Sequence, residues 1–306
     1  MGMSEIQNVT VLGTGVLGSQ IVMQAAYAGK NVVAYDIKQE FLDKLPARWE
    51  WMRGHYAKDL SDFTAEKFDD AVGRITTSTD IAEAVGDADV VIEAVPENLD
   101  LKKEVWGNVG KAVKDSAILL TNSSSLRPSD FADATGRADR FLALHFANMV
   151  WRSNTGEVMA TPKTDPAVFD RTVKFAREIN LQPFPVHKET PGYLLNSLLI
   201  PWLDAAGDLY ANEVANPHVI DEDWKVSTGA PKGPFETYDI VGFNVAVNIG
   251  RNRPDATESQ KKFNNLLQER GIDQGKAGLG DGCGFYEYDG NGRIVRPNPD
   301  WIIYED

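Results

Sequence analysis

Two residues of the sequence have the chemistry of a proton relay. A histidine suits the removal of a hydroxyl proton, because its ordinary pKa of about 6.5 lies close to operating pH. Of the four histidines, His145 alone stands at the end of a predicted central strand. Glu157 follows twelve residues later, and a hairpin-like connection would bring its carboxylate to the imidazole and fix the tautomer. We predict a general base and its partner, and a solvated acid on a strand edge remains the alternative for Glu157.

Three candidate residues share a place in the predicted sheet. Glu97, Ser124 and His145 each follow a short apolar segment that is typical of a strand. Ligands of doubly wound parallel sheets bind beyond the carboxyl ends of the strands. The Ser124 hydroxyl could donate a hydrogen bond there and polarise a carbonyl group. Their common position predicts one site at this edge of the sheet.

The segment 9–36 has the pattern of a dinucleotide-binding unit. An apolar run ends at Gly13, further glycines follow at positions 15 and 18, and a helical period leads into a second apolar run. Gly13 permits a tight turn, Gly15 lets the backbone approach a pyrophosphate, and Gly18 lets the helix and strand pack closely. The combination of strands, helix and glycines predicts dinucleotide binding rather than a structural turn.

The helix start and the acid that ends this segment complete the predicted cofactor site. Val16 and Leu17 begin the helix, where free amides and a partial positive charge attract phosphate. Asp36 would accept hydrogen bonds from the adenosine ribose and repel the 2′-phosphate of NADP. The nearby positive charge of Lys38 leaves NADP as a minor alternative cofactor. We therefore predict NAD as the cofactor, and we predict no metal site.

Composition restricts the class of protein. The 306 residues have a formal net charge of −14, which disfavours nucleic acid and anionic membranes as partners. The single cysteine excludes an internal disulfide and fits a reducing compartment, so the cytoplasm is the expected location. The longest apolar stretch, at 193–203, is interrupted by polar residues and proline and is too short to span a bilayer.

The order of strand and helix patterns predicts two domains. Alternating elements in residues 1–188 predict an α/β Rossmann-type, doubly wound, mainly parallel sheet, and residues 189–306 predict a smaller all-helical domain. The segment 39–70 reads as one long helix and a shorter one that starts near Thr64. The helices after Tyr193 carry more apolar surface than such a domain easily hides, which predicts a homodimer through the second domain.

Six motifs occur in order between about residues 6 and 286: GTGVLG, VIEAVPEN, NSSSL, LHFAN, TPGYLLN and GAPKGPFE. Together they resemble the L-3-hydroxyacyl-coenzyme A dehydrogenase family. The resemblance implies a Rossmann domain, a helical domain that dimerises, and NAD as the cofactor. It also implies that an L-3-hydroxyacyl-CoA, most simply a short-chain one, is interconverted with the 3-ketoacyl-CoA by hydride transfer.

The resemblance implies roles for four residues around the substrate. His145 would be the catalytic base with Glu157 as its partner, while Ser124 and Asn196 would lie near the substrate hydroxyl and acyl carbonyl. Taken alone, Asn196 is a polar residue in an apolar helix, where an unpaired amide is costly. Its partner could equally be the substrate or another helix.

The resemblance also implies three contacts with the nicotinamide half of NAD, from Glu97, Lys102 and Asn148. Lys102 lies five residues after Glu97, more than one helical turn away. From the residues alone it could equally be a surface charge.

The segment 149–156 departs from the family where the family has a proline and apolar residues. It reads MVWRSNTG and lies between the predicted base and its acid, so Trp151 and Arg152 are predicted to line the substrate site. They would narrow it and add a positive charge, as a short or carboxylate-bearing substrate requires. HYAKDLSD has one lysine against two aspartates where the family has several lysines, and Gly280 replaces another lysine. These departures weaken the prediction that the substrate is a coenzyme A ester. They leave the prediction of dehydrogenase chemistry unchanged.

Two further functions remain open. The same chemistry could act on a free 3-hydroxy acid, as carnitine and gulonate dehydrogenases do. A protein that binds NAD without catalysis is the other alternative. The joint presence of Ser124, His145, Glu157 and Asn196 argues against that second alternative.

Overall fold

An eight-stranded sheet forms the first part of the chain in the computed structural model, which describes residues 5–251 and 253–305. The strands are β1 (Asn8–Leu12), β2 (Asn31–Tyr35), β3 (Ile75–Ser78), β4 (Val90–Glu93), β5 (Ile118–Thr121), β6 (Phe141–Phe146), β7 (Thr155–Ala160) and β8 (Gln182–Val186). Their order is β3-β2-β1-β4-β5-β6-β7-β8, with β7 antiparallel to β6 and every other neighbouring pair parallel. The order of the first six strands is that of a Rossmann fold, which confirms the predicted fold class.

Helices cover the sheet and bury its central strands. They are α1 (Val16–Tyr27), α2 (Gln39–Leu42), α3 (Leu45–Asp59), α4 (Ala65–Gly73), α5 (Ile81–Val85), α6 (Leu99–Ala112) and α7 (Pro166–Glu178). Every residue of β4 and β5 is buried, as expected for parallel strands that are covered on both faces. The edge strand β8 differs from these central strands in that it contains two prolines, Pro183 and Pro185.

The segment between β2 and β3 forms three helices rather than the predicted long helix and shorter one. The break before α3 has a local cause, because Pro46 lacks an amide hydrogen and suits the first turn of a new helix. Thr64 caps α4 by accepting the Lys67 amide at 3.1 Å, close to the predicted start. Tyr56 of α3 is fully buried and packs on Tyr27 of α1, with ring centroids 5.0 Å apart.

The chain divides into two compact units, and the boundary in the sequence falls between Leu194 and Leu195. This is a few residues after the predicted boundary at 188/189. Residues 1–4, 252 and 306 of the predicted domains lie outside the described part of the chain. The second unit contains α8 (Leu195–Ala211), α9 (Pro217–Thr228), α10 (Pro234–Val241), α11 (Phe243–Arg251) and α12 (Glu258–Leu266).

The second unit is mainly helical, but it is not all-helical as predicted. An antiparallel hairpin of β9 (Tyr286–Tyr288) and β10 (Ile294–Pro297) follows a glycine-rich segment at 275–284. Strands of three and four residues are too short to produce a recognisable alternation in the sequence. In the same unit, α10 and α11 are two separate helices, because Gly242 between them has a φ of +85°.

Asp221 of α9 holds the start of α10 and the hairpin together. Its carboxylate accepts the amides of Phe235 at 2.8 Å and Glu236 at 2.9 Å, and the Tyr286 hydroxyl at 2.8 Å. Burial raises the pKa of this carboxyl to about 6, against the opposing effect of the three donors. The side chain therefore satisfies three buried hydrogen-bond donors at once.

We expect Asp221→Ala to lower the free energy of unfolding by about 2–4 kcal/mol, because it leaves buried donors without an acceptor. Asp223→Ala is the matched control, since Asp223 is an exposed acid on the same helix. Urea titration of both variants measures the difference. An equal loss of stability in the two variants would contradict this role of Asp221.

Candidate active site

The hairpin of β6 and β7 brings His145 and Glu157 together. His145 lies within β6 rather than after it, and the two residues are paired in register across the antiparallel strands. Nδ1 of the imidazole is 3.0 Å from Oε2 of Glu157, and Nε2 is 3.0 Å from Oγ of Ser124. A carboxylate only accepts hydrogen bonds, so Nδ1 carries the proton and Nε2 is able to accept one. Glu157 is 6% exposed, so the alternative of a solvated acid is wrong.

Tyr193 completes the surroundings of the imidazole and is a residue that the sequence reasoning missed. Its ring stacks on that of His145, with centroids 4.5 Å apart and planes 9° apart. Its hydroxyl donates to the Ser123 carbonyl at 2.6 Å, and the following amide, of Leu194, donates to Glu157 Oε1 at 2.9 Å. The tyrosine that follows proline and glycine in TPGYLLN is the signal that could have identified it.

Glu97 organises the loop that carries Ser124. One oxygen, Oε1, accepts the Ser123 hydroxyl at 2.5 Å, the Ser125 amide at 2.8 Å and the Leu126 amide at 3.1 Å. Burial alone raises the pKa of the Glu97 carboxyl, but these donors and a nearby ammonium group outweigh it and lower the pKa to about 2. An ionised Glu97 thus holds the Ser123 side chain before Ser124 and two backbone amides after it.

Lys102 is 1% exposed, so its interpretation as a surface charge is wrong. Its Nζ lies 2.6 Å from Glu93 Oε1 and 3.2 Å from Glu97 Oε2. Glu93 ends β4, is fully buried and also accepts the Thr121 hydroxyl at 2.8 Å. The sequence reasoning missed Glu93, although a carboxylate inside an apolar run is itself a signal, because a buried charge requires partners.

The glycine-rich loop has the shape that a pyrophosphate requires. Gly13 has a φ of +94°, and a Cβ on it would lie 2.7 Å from the Ala94 carbonyl oxygen. A Cβ on Gly18 would lie 1.9 Å from the Gly13 carbonyl oxygen, so only glycine allows this close packing. A Cβ on Gly15, which precedes α1, would meet nothing within 4 Å. The loop therefore leaves space in front of the α1 N-terminus, where phosphate groups bind favourably.

A cavity of about 240 Å³ extends from this loop to Ser124, whose hydroxyl contacts His145. It is lined by Gly15, Val16, Leu17, Gly18, Ala94, Val95, Glu97, Lys102, Asn122 and Ser124. The predicted cofactor residues at the helix start and after β4 therefore share one cavity with the predicted hydroxyl donor.

Asp36 is held against the glycine-rich loop. Its Oδ2 accepts the amide of Thr14 at 2.8 Å and the Thr14 hydroxyl at 2.7 Å. Arg48 of α3 donates to the Thr14 carbonyl at 2.8 Å, a contact from the helical segment that the sequence did not predict. Lys38 is the residue that kept NADP as an alternative cofactor. Its Nζ lies 3.5 Å from Oε1 of Glu40, which offsets part of its positive charge.

The segment after β6 is arranged differently from the predicted substrate wall. Trp151 is 4% exposed, and its Nε1 donates to Asp59 of α3 at 2.9 Å. Its ring lies 4.9 Å from that of Tyr56, so the indole is a core side chain rather than a pocket wall. This position corrects the prediction that Trp151 narrows the substrate site. Arg152 and Asn148 are exposed in the same segment.

The remaining predicted residue, Asn196, lies in the first turn of α8, in the second unit, and its side chain is partly buried. Within residues 5–251 and 253–305, no cluster of three or more His, Cys, Asp or Glu side chains could hold a metal ion. No helix in those same ranges is long and apolar enough to cross a membrane.

Comparison with known proteins decides the family. The model of the 3-hydroxyacyl-CoA dehydrogenase NAD binding domain matches residues 8–190, and that of the 3-hydroxyacyl-CoA dehydrogenase C-terminal domain matches residues 192–288. The chain belongs to the 3-hydroxyacyl-CoA dehydrogenase family. It is therefore an NAD-dependent oxidoreductase, which confirms the predicted cofactor and enzyme class.

Relatives match this family member over nearly its full length. The mitochondrial hydroxyacyl-coenzyme A dehydrogenase of Rattus norvegicus is 34% identical over 92% of this chain and 91% of its own length. The 3-hydroxybutyryl-CoA dehydrogenase of Clostridioides difficile is 30% identical, with 92% of this chain and 99% of that protein covered. A solved diketoreductase that acts on dicarbonyl compounds is 50% identical, with a TM-score of 0.90, and covers 94% of this chain and 100% of its own.

We expect Asp36→Ala to weaken the binding of NAD and to improve the relative use of NADP, because the carboxylate that would repel a 2′-phosphate is lost. The ratio of kcat/KM for the two cofactors measures the change. Asp43→Ala removes an exposed acid immediately after α2 and should leave the ratio unaltered. A ratio that is the same in Asp36→Ala and the parent protein would contradict the ribose assignment.

Proposed function

We propose that this dehydrogenase oxidises the hydroxyl group of an L-3-hydroxyacyl-CoA, most simply a short-chain one, and reduces the 3-keto product in reverse. The observation that carries the proposal is the series of contacts from Glu157 through His145 to Ser124, next to the cavity at the glycine-rich loop. NAD, when bound, accepts the hydride from the carbon that bears the hydroxyl. Everything else in the reaction is proton transfer and positioning.

In the proposed mechanism, His145 Nε2 takes the hydroxyl proton as the hydride leaves the same carbon. Glu157 then stabilises the imidazolium, because its Oε2 lies 3.0 Å from the protonated Nδ1. Ser124 is 3.0 Å from Nε2 and can donate to the oxygen that becomes a carbonyl. The stacked ring of Tyr193 covers one face of the imidazole and excludes water from it.

The remaining site residues have proposed roles that follow from their family positions and surroundings. Glu97, Lys102 and Asn148 would contact the nicotinamide half of the cofactor, and the first two line the cavity at the glycine-rich loop. Asn196 would bind the substrate hydroxyl or acyl carbonyl. Arg152 is exposed and remains a candidate for an anionic part of the substrate.

Free dicarbonyl compounds or free 3-hydroxy acids are the second candidate substrates. The 50% identity to a diketoreductase supports this candidate. The helical segment 39–73 supports it too, because it holds eight acidic and five basic residues. Coenzyme A is a polyanion, so the net negative charge of this segment would repel it. Two of the cations are already paired, Arg53 with Asp69 and Lys67 with Asp62.

We expect NADH oxidation with acetoacetyl-CoA to exceed that with a free 3-keto acid or a free 1,3-dicarbonyl compound. Initial rates with these three substrates, and with a longer 3-ketoacyl-CoA, decide between the two candidates. Equal failure on both thioesters, together with turnover of a free compound, would reject the coenzyme A ester and keep the dehydrogenase chemistry.

His145→Ala should lower turnover by about 10²–10⁴-fold, the usual contribution of a general base, and leave the affinity for NAD unchanged. Turnover and NADH fluorescence titration measure the two quantities. His187→Ala is the control, because His187 is an exposed histidine of the same unit. Unchanged turnover in His145→Ala would remove this histidine from the mechanism.

We also propose that the protein is a homodimer that associates through its second unit. Leu195 and Leu198 of α8 are 52% and 75% exposed, and Val245 and Ile249 of α11 are 49% and 39% exposed. These spacings of three and four residues place each pair on one face of its helix. Exposed apolar faces of this kind are typical of protein interfaces, and a second copy offers the same surface.

Light scattering at micromolar concentration should give twice the chain mass of 33.7 kDa. Leu198→Asp should shift the mass toward the monomer, because a charge would be buried at the interface. Ile37→Asp, which changes a 71% exposed residue of the first unit, should remain dimeric. A monomeric parent protein would contradict the proposal.

The cytoplasm, and the absence of nucleic-acid and membrane partners, remain proposals that rest on composition and charge. The formal net charge of −14 supports the second of these, since polyanionic partners would be repelled. The relative from Rattus norvegicus is named as mitochondrial, so a mitochondrial location is the alternative.

A further inference from the structure

Gln20 connects the cofactor-binding helix to the hairpin that carries His145. It lies on α1, two residues after Gly18, and is 2% exposed. Its Oε1 accepts the amide of Met149 at 2.8 Å and the amide of Val150 at 3.3 Å. The side chain therefore bridges the two parts of the first unit on which hydride and proton transfer depend.

The turn at Met149 requires such an acceptor. Met149 has a φ of +60°, a conformation that residues other than glycine adopt rarely. Its carbonyl accepts the amides of Arg152 and Ser153, both at 2.8 Å, which closes the turn. The amides of Met149 and Val150 face α1 instead, and buried amides without an acceptor are strongly disfavoured. Gln20 satisfies both of them with one oxygen.

A second side-chain oxygen holds the other end of the same segment. Asn122, in the loop after β5, accepts the amide of Phe146 at 2.9 Å. Asn148 lies between the two anchored amides, those of Phe146 and Met149. Its backbone is therefore fixed from β5 on one side and from α1 on the other.

We propose that Gln20 is a positioning residue, which sets the place of Asn148 and the His145 hairpin relative to the glycine-rich loop. This inference rests on the proposed function, in which Asn148 contacts the nicotinamide half of the cofactor. Gln20 acts through the backbone of the hairpin. Loss of its oxygen should slow hydride transfer, because a small displacement of reacting groups is costly in rate.

Three variants separate positioning from general stability. Gln20→Met removes the acceptor and keeps the length of the side chain, and Gln20→Glu keeps an acceptor oxygen in the same place. Gln24→Met is the matched control, one turn further along α1. Gln24 is 3% exposed, donates to the Ile179 carbonyl at 2.9 Å and accepts the Tyr56 hydroxyl at 3.0 Å.

Hydrogen exchange measured by mass spectrometry tests the contact without any substrate or cofactor. A peptide that covers residues 147–154 should exchange faster in Gln20→Met than in the parent protein, and at the parent rate in Gln24→Met. Exchange in Gln20→Glu should approach the parent rate. Parent-like exchange in Gln20→Met would overturn the inference.

Kinetics with NADH and the best substrate of the parent protein test the consequence for catalysis. In Gln20→Met, kcat should fall about tenfold to a hundredfold with unchanged KM values, and Gln20→Glu should recover most of it. The isotope effect from NADH deuterated at the transferred position should rise, because hydride transfer becomes slower than the other steps. A raised substrate KM with unchanged kcat, or an equal fall in Gln24→Met, would overturn the inference.

The two measurements also separate this inference from the proposed function. A parent protein that turns over none of the four substrates would reject the proposed function. The exchange result would still decide whether Gln20 holds the hairpin.

Discussion

The register between β6 and β7 is the constraint on which the site depends. It pairs His145 with Glu157 directly across an antiparallel ladder, so the imidazole and the carboxylate meet without a long flexible connection. A shift of one residue would turn one of the two side chains to the opposite face of the sheet. The same antiparallel step follows six parallel strands, β1 to β6, which carry the glycine-rich loop and the Ser124 loop. Sheet topology alone therefore brings His145 and Glu157 to the cofactor edge.

Much of this arrangement could be predicted from short-range patterns. The glycine spacing, the terminal Asp36 and the apolar strands predicted the Rossmann sheet, because each pattern reflects a local requirement of backbone or burial. The placement of Glu97, Ser124 and His145 after or within apolar segments predicted one edge, because parallel strands end together. What the sequence could not provide was the partner of each buried polar group. Glu93 was missed for that reason, because its place in an apolar run does not show which residues are its partners.

The errors have physical causes of the same kind. Trp151 was expected at a substrate wall because it lies between the base and its acid, but adjacency in sequence does not give the direction of a side chain. Its indole turns toward α3, where Asp59 accepts its N–H. The hairpin at the end of the second unit was missed because its strands of three and four residues are too short to show a recognisable alternation. Tyr193 was missed because the Pro-Gly turn before it does not show that its ring stacks on the imidazole of His145.

The prolines of β8 have a consequence for how copies of this protein can associate. The Gln182 amide points toward the neighbouring strand, where it donates to the Asn154 carbonyl. Amides alternate in direction along a strand, so positions 183 and 185 face outward, and both are prolines without an amide hydrogen. This edge of the sheet offers no outward donors at those two positions, so it cannot be extended by a regular ladder with another strand. The protein carries its own barrier to edge-to-edge aggregation at β8, the strand beside Glu157.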